Sequence, residues 1–391
     1  MLRCRRASDA GQTGGRTVTI PAMPLPAPSG PRRRLLFALV AGVLGLQPAA
    51  MNAGESRGHS GLPPIPISSE AGDPALQVAL GRRLFMDPQI SEDGTMACAT
   101  CHIPEHGFAL NGAPTAFGRG GRVLRRNSPT VLNAALATSQ FLDGRMATLE
   151  DQIWGPLLSI EEAWNPTVQD VVGRLEGRAD YRREFRAAFA GRKVSARLVG
   201  AAIAAYERSL ASGLSRFDRW RYGGDAAALT PTERAGFDVF QRSGCPACHT
   251  VGADFAPFTD NSFRNTGIEW ARIRGALGTP KSVPDAGRFE VTGREGDRHA
   301  FRVPSLRNVG LTAPYMHDGS LATLAQVVDW YDAGGGADPG RDPALRPLGL
   351  DATDKASLVA FLEALTSQDV ERLIAEARGT PGAGTLRPRK L

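Results

Sequence analysis

Residues 96–102 read Met-Ala-Cys-Ala-Thr-Cys-His, and residues 244–250 read Gly-Cys-Pro-Ala-Cys-His-Thr. The chain has five cysteines, and four of them lie in these two stretches, each pair followed at once by a histidine. A Cys-x-x-Cys pair alone suits a redox dithiol, half of a zinc site or a disulfide. The histidine narrows the choice. Thiols spaced like Cys98 and Cys101 reach the two vinyl groups along one edge of a haem. The next residue, His102, then falls beneath the iron, where imidazole is a strong axial ligand. Cys245, Cys248 and His249 repeat the pattern. With 5 Cys and 6 His in 391 residues, chance places Cys-x-x-Cys-His at a given cysteine only about once in several thousand trials. One zinc ion shared by both stretches is geometrically allowed but leaves the tandem arrangement unexplained. A thioredoxin-like dithiol needs no histidine. The sequence therefore predicts two covalently bound c-type haems, with folding coupled to their attachment.

The formal charge is +6. Residues 1–50 carry seven arginines and a single acid, Asp9, so the remainder is neutral and the basic balance does not argue for a nucleic-acid partner. Arg32, Arg33 and Arg34 lead into the apolar run Leu35–Leu46, and the small residues Ala49 and Ala50 follow. This is the pattern of a secretory leader, and the run is short for a membrane span. A start at Met23 would give a more usual leader. Residues 1–50 are thus read as a signal segment and the mature protein as periplasmic, where c-type haem is attached.

Residues 51–72 are rich in Gly, Ser and Pro and read as a flexible lead-in. Helical spacing begins at Asp73–Phe85 and returns after Thr148, at Val168–Leu175, Tyr181–Phe189 and Val194–Leu210. The pattern relaxes near residues 215–228, where a domain boundary is placed. Thr230, Pro231 and Glu233 then open a helix with a capping box. Thr323 with Gln326, and Asp351 with Asp354, do the same for two later helices, the first ending at Gly334 and Gly335. Few runs alternate with period two. The expected fold is mainly α, with two cytochrome c-like haem domains at 73–222 and 223–375, long loops, and a flexible tail at 376–391.

Two haems could simply conduct electrons; catalysis needs one open iron near proton-carrying groups. Candidate sixth ligands are few: His59, His106, His299, Met316 and His317. Glu161 and Glu162 are candidate acid–base groups.

The phrases "LGRRLFMDPQISEDGTMACATCH", "RRNSPTVLNAAL", "FLDGRMATLEDQIWGPL", "VPSLRNVGLTAPYMHDGSLATLAQVVDWYDAGG" and "LVAFLEAL" go further. Through them the chain resembles the bacterial dihaem cytochrome c peroxidase and MauG superfamily, from about Asp73 to Ser367. The resemblance implies that His102 is the proximal ligand of a peroxidatic haem and that the C-terminal haem transfers electrons. It implies distal roles for Gln152 and Glu162, with Glu162 the acid–base group, and puts His317 in the pocket without a ligand role. It also implies a calcium ion held by the Asn127 side chain and the carbonyls of Thr312 and Pro314, oxygen donors of the kind calcium takes.

Three departures matter. Many members carry a histidine that ligates the reactive haem at rest; this chain has "FGRGG", around Arg119. The methionine usual on the C-terminal haem is replaced by Tyr331, as in MauG-like proteins, with Met316 the rival ligand. The inter-haem tryptophan is Leu142. The expected activity is reduction of hydrogen peroxide with electrons from a c-type cytochrome or a cupredoxin. The alternatives are a MauG-like oxidase acting through a high-valent iron state on a protein residue or small molecule, and a non-catalytic electron-transfer module. A homodimer is the assembly that the resemblance suggests.

Overall fold

The computed structural model describes residues 61–66, 70–110, 112–277 and 284–379. The expected leader at 1–50, the start of the lead-in, His59 and most of the expected tail lie outside the described residues. Fourteen α-helices, seven short 3-10 helices and one two-stranded ladder make up the described elements. The helices are α1 (Pro74–Met86), α2 (Cys98–Cys101), α3 (Leu149–Gln152), α4 (Trp154–Leu158), α5 (Val168–Gly177), α6 (Ala179–Ala188), α7 (Ala196–Ser209), α8 (Arg216–Arg221), α9 (Pro231–Arg242), α10 (Ile268–Ile273), α11 (Phe289–Thr292), α12 (Leu324–Asp332), α13 (Ala352–Glu363) and α14 (Asp369–Arg378). Strands β1 (Phe263–Arg264) and β2 (Phe301–Arg302) pair antiparallel, with Phe263 opposite Arg302. The protein is mainly helical, and among the described residues no helix is long and apolar enough to cross a membrane.

The helix starts follow local chemistry. Asp73 accepts hydrogen bonds from the N–H groups of Ala75 and Leu76 and so begins α1. Thr230 and Glu233 exchange bonds reciprocally at the head of α9, as do Thr323 and Gln326 at α12. Each such cap is worth about 1 kcal/mol. At α13 only half of the expected box forms. Asp351 accepts from the Asp354 N–H at 2.8 Å, but the Asp354 carboxylate turns to Arg242 on α9. An ion pair between two helices has displaced the local bond.

Two hydrophobic clusters organise the described chain. The first gathers Leu84, Phe85, Phe108, Ile153, Tyr181, Phe185 and Ile203. The second gathers Phe217, Phe237, Phe240, Phe258, Leu358 and Phe361. Each is built on the crossing of two long helices, α1 with α7 and α9 with α13. Both crossings need a glycine. A Cβ on Gly81 would overlap the carbonyl oxygen of Ala202, and one on Gly236 would overlap that of Ser357. The backbones touch at these points, so the aromatic residues four positions on, Phe85 and Phe240, are driven fully into the core. Each large side chain so buried contributes about 1.5–3 kcal/mol. Helices α1 and α9 then deliver the chain to Cys98 and Cys245. The last helix, α14, returns to the first cluster through Val370, Leu373 and Ala377 and runs past residue 376, where the sequence reading begins the tail.

Candidate active site

Both Cys-x-x-Cys-His segments form one tight turn. The His102 N–H donates to the Cys98 carbonyl and the His249 N–H to that of Cys245, each at 2.9 Å. Each imidazole is then oriented from behind. The Nδ1–H of His102 donates to the Pro129 carbonyl oxygen at 2.9 Å, and that of His249 to Phe258 at 2.9 Å. A backbone acceptor on Nδ1 fixes the tautomer and leaves the Nε2 lone pair free for a metal. Burial lowers the pKa of both rings, which favours the neutral, ligating form.

No disulfide joins Cys98, Cys101, Cys245 or Cys248. Burial pushes Cys101 up to about 12 and Cys245 up to about 11, and it raises Cys98 and Cys248 as well. Among the described residues no three or more His, Cys, Asp or Glu side chains gather as a metal site, so the two Cys pairs do not converge on one zinc ion.

Cys98, Cys101 and His102 line one cavity. Its walls are mostly apolar: Phe85, Ile90, Met96, Ile153, Leu157 and Ala163. Gln152, Pro156, Glu162 and Glu207 also line it. A flat apolar ring fits such walls, with thiols at one edge and a free imidazole nitrogen beneath, so the residues suit a haem. The side chains expected from the sequence at this site, His102, Gln152 and Glu162, are thus brought together. Gln152 ends α3, which is capped by Thr148. Glu162 sits in the turn after α4, its N–H bonded to the Ser159 carbonyl at 3.1 Å. Burial raises the Glu162 pKa, against the pull of nearby Arg145.

A larger adjoining cavity shares His102, Gln152, Glu162 and Glu207. It reaches Pro257, Thr259 and Pro304, beside the carbonyl that orients His249. Leu142 lines it, and its carbonyl accepts from the Arg302 N–H at 2.7 Å.

At the second segment Tyr331, on α12, has its phenol raised to about 12 by burial and by the Cys248 and Cys245 thiols. Those thiols are therefore its neighbours, and its hydroxyl has no hydrogen-bond partner among the described residues. Met316 borders neither cavity. Nor does His317: its Nε2 lies 3.2 Å from Glu269 Oε2, and its ring stacks on Phe301 at 3.9 Å. Asn127 Nδ2 donates to the Pro114 carbonyl at 2.9 Å. Its N–H donates to the His317 carbonyl at 2.8 Å, which sets residue 127 beside the segment holding Thr312 and Pro314. The "FGRGG" loop is pinned down: Arg119 bonds Asp93 at 2.6 Å and stacks over Trp164 at 4.3 Å.

Sequence reasoning passed over Glu207, a buried carboxyl lining both cavities, and Arg302, a guanidinium in the larger one. The one hint in the sequence is that Glu207 stands in the small and apolar run "AAIAAYERSL", residues 201–210; its burial, costly for an unpaired acid, is shown only by the packing.

The comparisons agree with this geometry. The family described as "Di-haem cytochrome c peroxidase" matches residues 75–227. The chain is similar to the methylamine utilization protein MauG of Methylorubrum extorquens, 38% identical over 75% of this chain and 78% of that one. It is also similar to the cytochrome c551 peroxidase of Nitrosomonas europaea, 34% identical over 84% of this chain and 91% of the relative. Among solved structures, a MauG-like protein associated with microbial copper homeostasis superposes with TM-score 0.69 at 31% identity, covering 82% of this chain and 97% of that one. The diheme peroxidase BthA from Burkholderia thailandensis superposes with TM-score 0.64 at 25% identity, covering 79% of this chain and 94% of its own. With identity and coverage of this order, the chain is a haem oxidoreductase that belongs to the di-haem cytochrome c peroxidase family.

Proposed function

We propose that the protein is a periplasmic dihaem peroxidase that reduces hydrogen peroxide to water with electrons from an external donor. Two haem domains, 73–222 and 223–375, carry one c-type haem each. When bound, the haems supply the redox chemistry, with oxygen–oxygen cleavage at the first and electron entry at the second. His102 and His249 would hold the irons through Nε2, which their Nδ1 hydrogen bonds leave free. Gln152 orients peroxide through its amide. Glu162 takes the proton from one peroxide oxygen and returns it to the other, so that the departing oxygen leaves as water. The carboxylate needs a pKa near working pH for both steps, and burial moves Glu162 in that direction. The apolar wall from Phe85 to Ala163 keeps bulk water from the reacting atoms.

The observation that carries this reading is the meeting of His102, Gln152 and Glu162 at one cavity with the Cys98 pair. The test is steady-state peroxide reduction by haem-loaded protein and by Glu162→Gln. Turnover should fall ~10²–10⁴-fold in the variant with haem content intact; equal turnover removes Glu162 from the mechanism.

Tyr331 beside the second thiol pair favours a second reading, a MauG-like oxidase acting on a protein residue or small molecule. A calcium ion on Asn127, Thr312 and Pro314, a small c-type cytochrome or cupredoxin as donor, and a homodimeric assembly complete the proposal. Asn127 Oδ1 has no hydrogen-bond partner among the described residues, which suits a calcium ligand.

A further inference from the structure

Peroxide reduction consumes protons as well as electrons: one peroxide, two protons and two electrons give two waters. Glu162 moves a proton from one peroxide oxygen to the other and so makes no net delivery. The protons consumed come ultimately from solvent, and a protonated group at the cavity would bring them to the reacting oxygen.

Glu207 stands where such a group is needed. It lies on α7, is 5% exposed, and lines the Cys98–His102 cavity together with Gln152 and Glu162. Its Oε2 is buried and has no hydrogen-bond partner. A buried carboxyl oxygen left unpaired costs about 1–3 kcal/mol, and nothing in the apolar packing of α7 requires an acid there. Its position is held firmly. Arg208, the next residue, bridges Glu150 of α3 at 2.7 Å. A Cβ on Gly200 would stand 2.6 Å from the Glu150 carbonyl oxygen, so α7 and α3 meet closely. These two contacts fix Glu207 on α7 against the helix that carries Gln152.

We propose that Glu207 is the inner proton donor of the first haem cavity, giving to bound oxygen species the protons that Glu162 can only relocate. The proposal rests on the peroxidase reading above. Twice in each cycle the Glu207 O–H bond breaks, its proton goes to the oxygen being reduced, and the carboxylate left behind is reprotonated from solvent, so that two protons are delivered for each peroxide. The electrons come from the external donor. The charged and titratable groups around it are Arg208, Glu150, Tyr206, Cys98, His102 and Glu162. Burial, opposed by Arg208 and helped by Glu150, pushes its carboxyl up to about 8, so that it holds a proton at neutral pH. Glu207 acts through the cavity and does not replace Glu162.

The test compares haem-loaded wild type, Glu207→Gln and Glu207→Asp. Infrared difference spectra between oxidised and reduced protein, recorded without peroxide, should show a protonated carboxyl band that is lost in Glu207→Gln and shifted in Glu207→Asp. On rapid mixing with peroxide, Glu207→Gln should cleave it at the wild-type rate. It should then return to the resting state at least ~10-fold more slowly, with a smaller solvent isotope effect, and Glu207→Asp should recover part of the rate. A band unchanged in Glu207→Gln, or a wild-type return rate, overturns the assignment. Should Glu207→Gln fail to load haem, the aspartate variant decides alone: a band and return rate identical to wild type overturn the proposal. Wild-type protein inert to peroxide would instead defeat the peroxidase reading itself.

Discussion

His102 Nδ1 and the Pro129 carbonyl oxygen lie 2.9 Å apart, so the ring is oriented by backbone rather than by a carboxylate. A carbonyl partner leaves the imidazole less electron-rich than a carboxylate would, yet still locks its tautomer. Replacing His102 by Gly should leave the haem attached through Cys98 and Cys101 while removing its axial nitrogen. Visible spectra should change at the first haem alone, and added imidazole should restore them. An unaltered first-haem spectrum would show that another group is the ligand.

Burial pushes the Tyr331 phenol up to about 12 and so opposes a phenolate. A metal cation at the hydroxyl reverses that balance. Phenolate oxygen stabilises ferric iron, so Tyr331→Phe should raise the reduction potential of the second haem and leave the first unchanged. Potentiometric titration reads both. No change at the second haem would assign its ligand elsewhere, Met316 being the next candidate.

Arg119 occupies the loop where many relatives of this family would supply a histidine, and it is committed to Asp93 and Trp164. The first iron should therefore be five-coordinate or water-bound when fully oxidised. Electron paramagnetic resonance of resting protein should contain a high-spin ferric signal. Two purely low-spin haems would rule this out.

Glu269 lies in a buried network with His317, Arg272 and the Asp285 N–H. Burial alone would raise its carboxyl, but these partners bring it down to about 2. A depressed folded-state pKa gives stability that is present above the ordinary carboxylate value of about 4.3 and lost as pH falls toward the folded value. Thermal unfolding should therefore shift to lower temperature on acidification from about pH 4 to pH 2. Glu269→Gln should unfold more easily at neutral pH, by about 3–5 kcal/mol, and show a flatter acid limb. An acid limb identical to wild type would place the pH sensitivity in other groups.

The helical character and most of the site were legible because they rest on local signals. Thr230–Glu233 and Thr323–Gln326 act within one turn, and Cys98–Cys101–His102 is a contiguous string. Asp354 was misjudged because its partner, Arg242, is distant in sequence. Glu207 escaped notice because an acid in a helix reads as solvated until packing shows which face is buried. Helix α14 shows the same limit: nothing local reveals that Val370 and Leu373 return to the first core. The placement of His317 depended on Glu269 and Phe301, neither near it in the chain.

The most direct test of the account is the stoichiometry of peroxide consumption by haem-loaded protein supplied with a reduced c-type cytochrome. The account predicts sustained turnover in which two cytochromes are oxidised for each peroxide consumed. Protein that carries both haems and accepts electrons from the donor, yet consumes no peroxide, would contradict it.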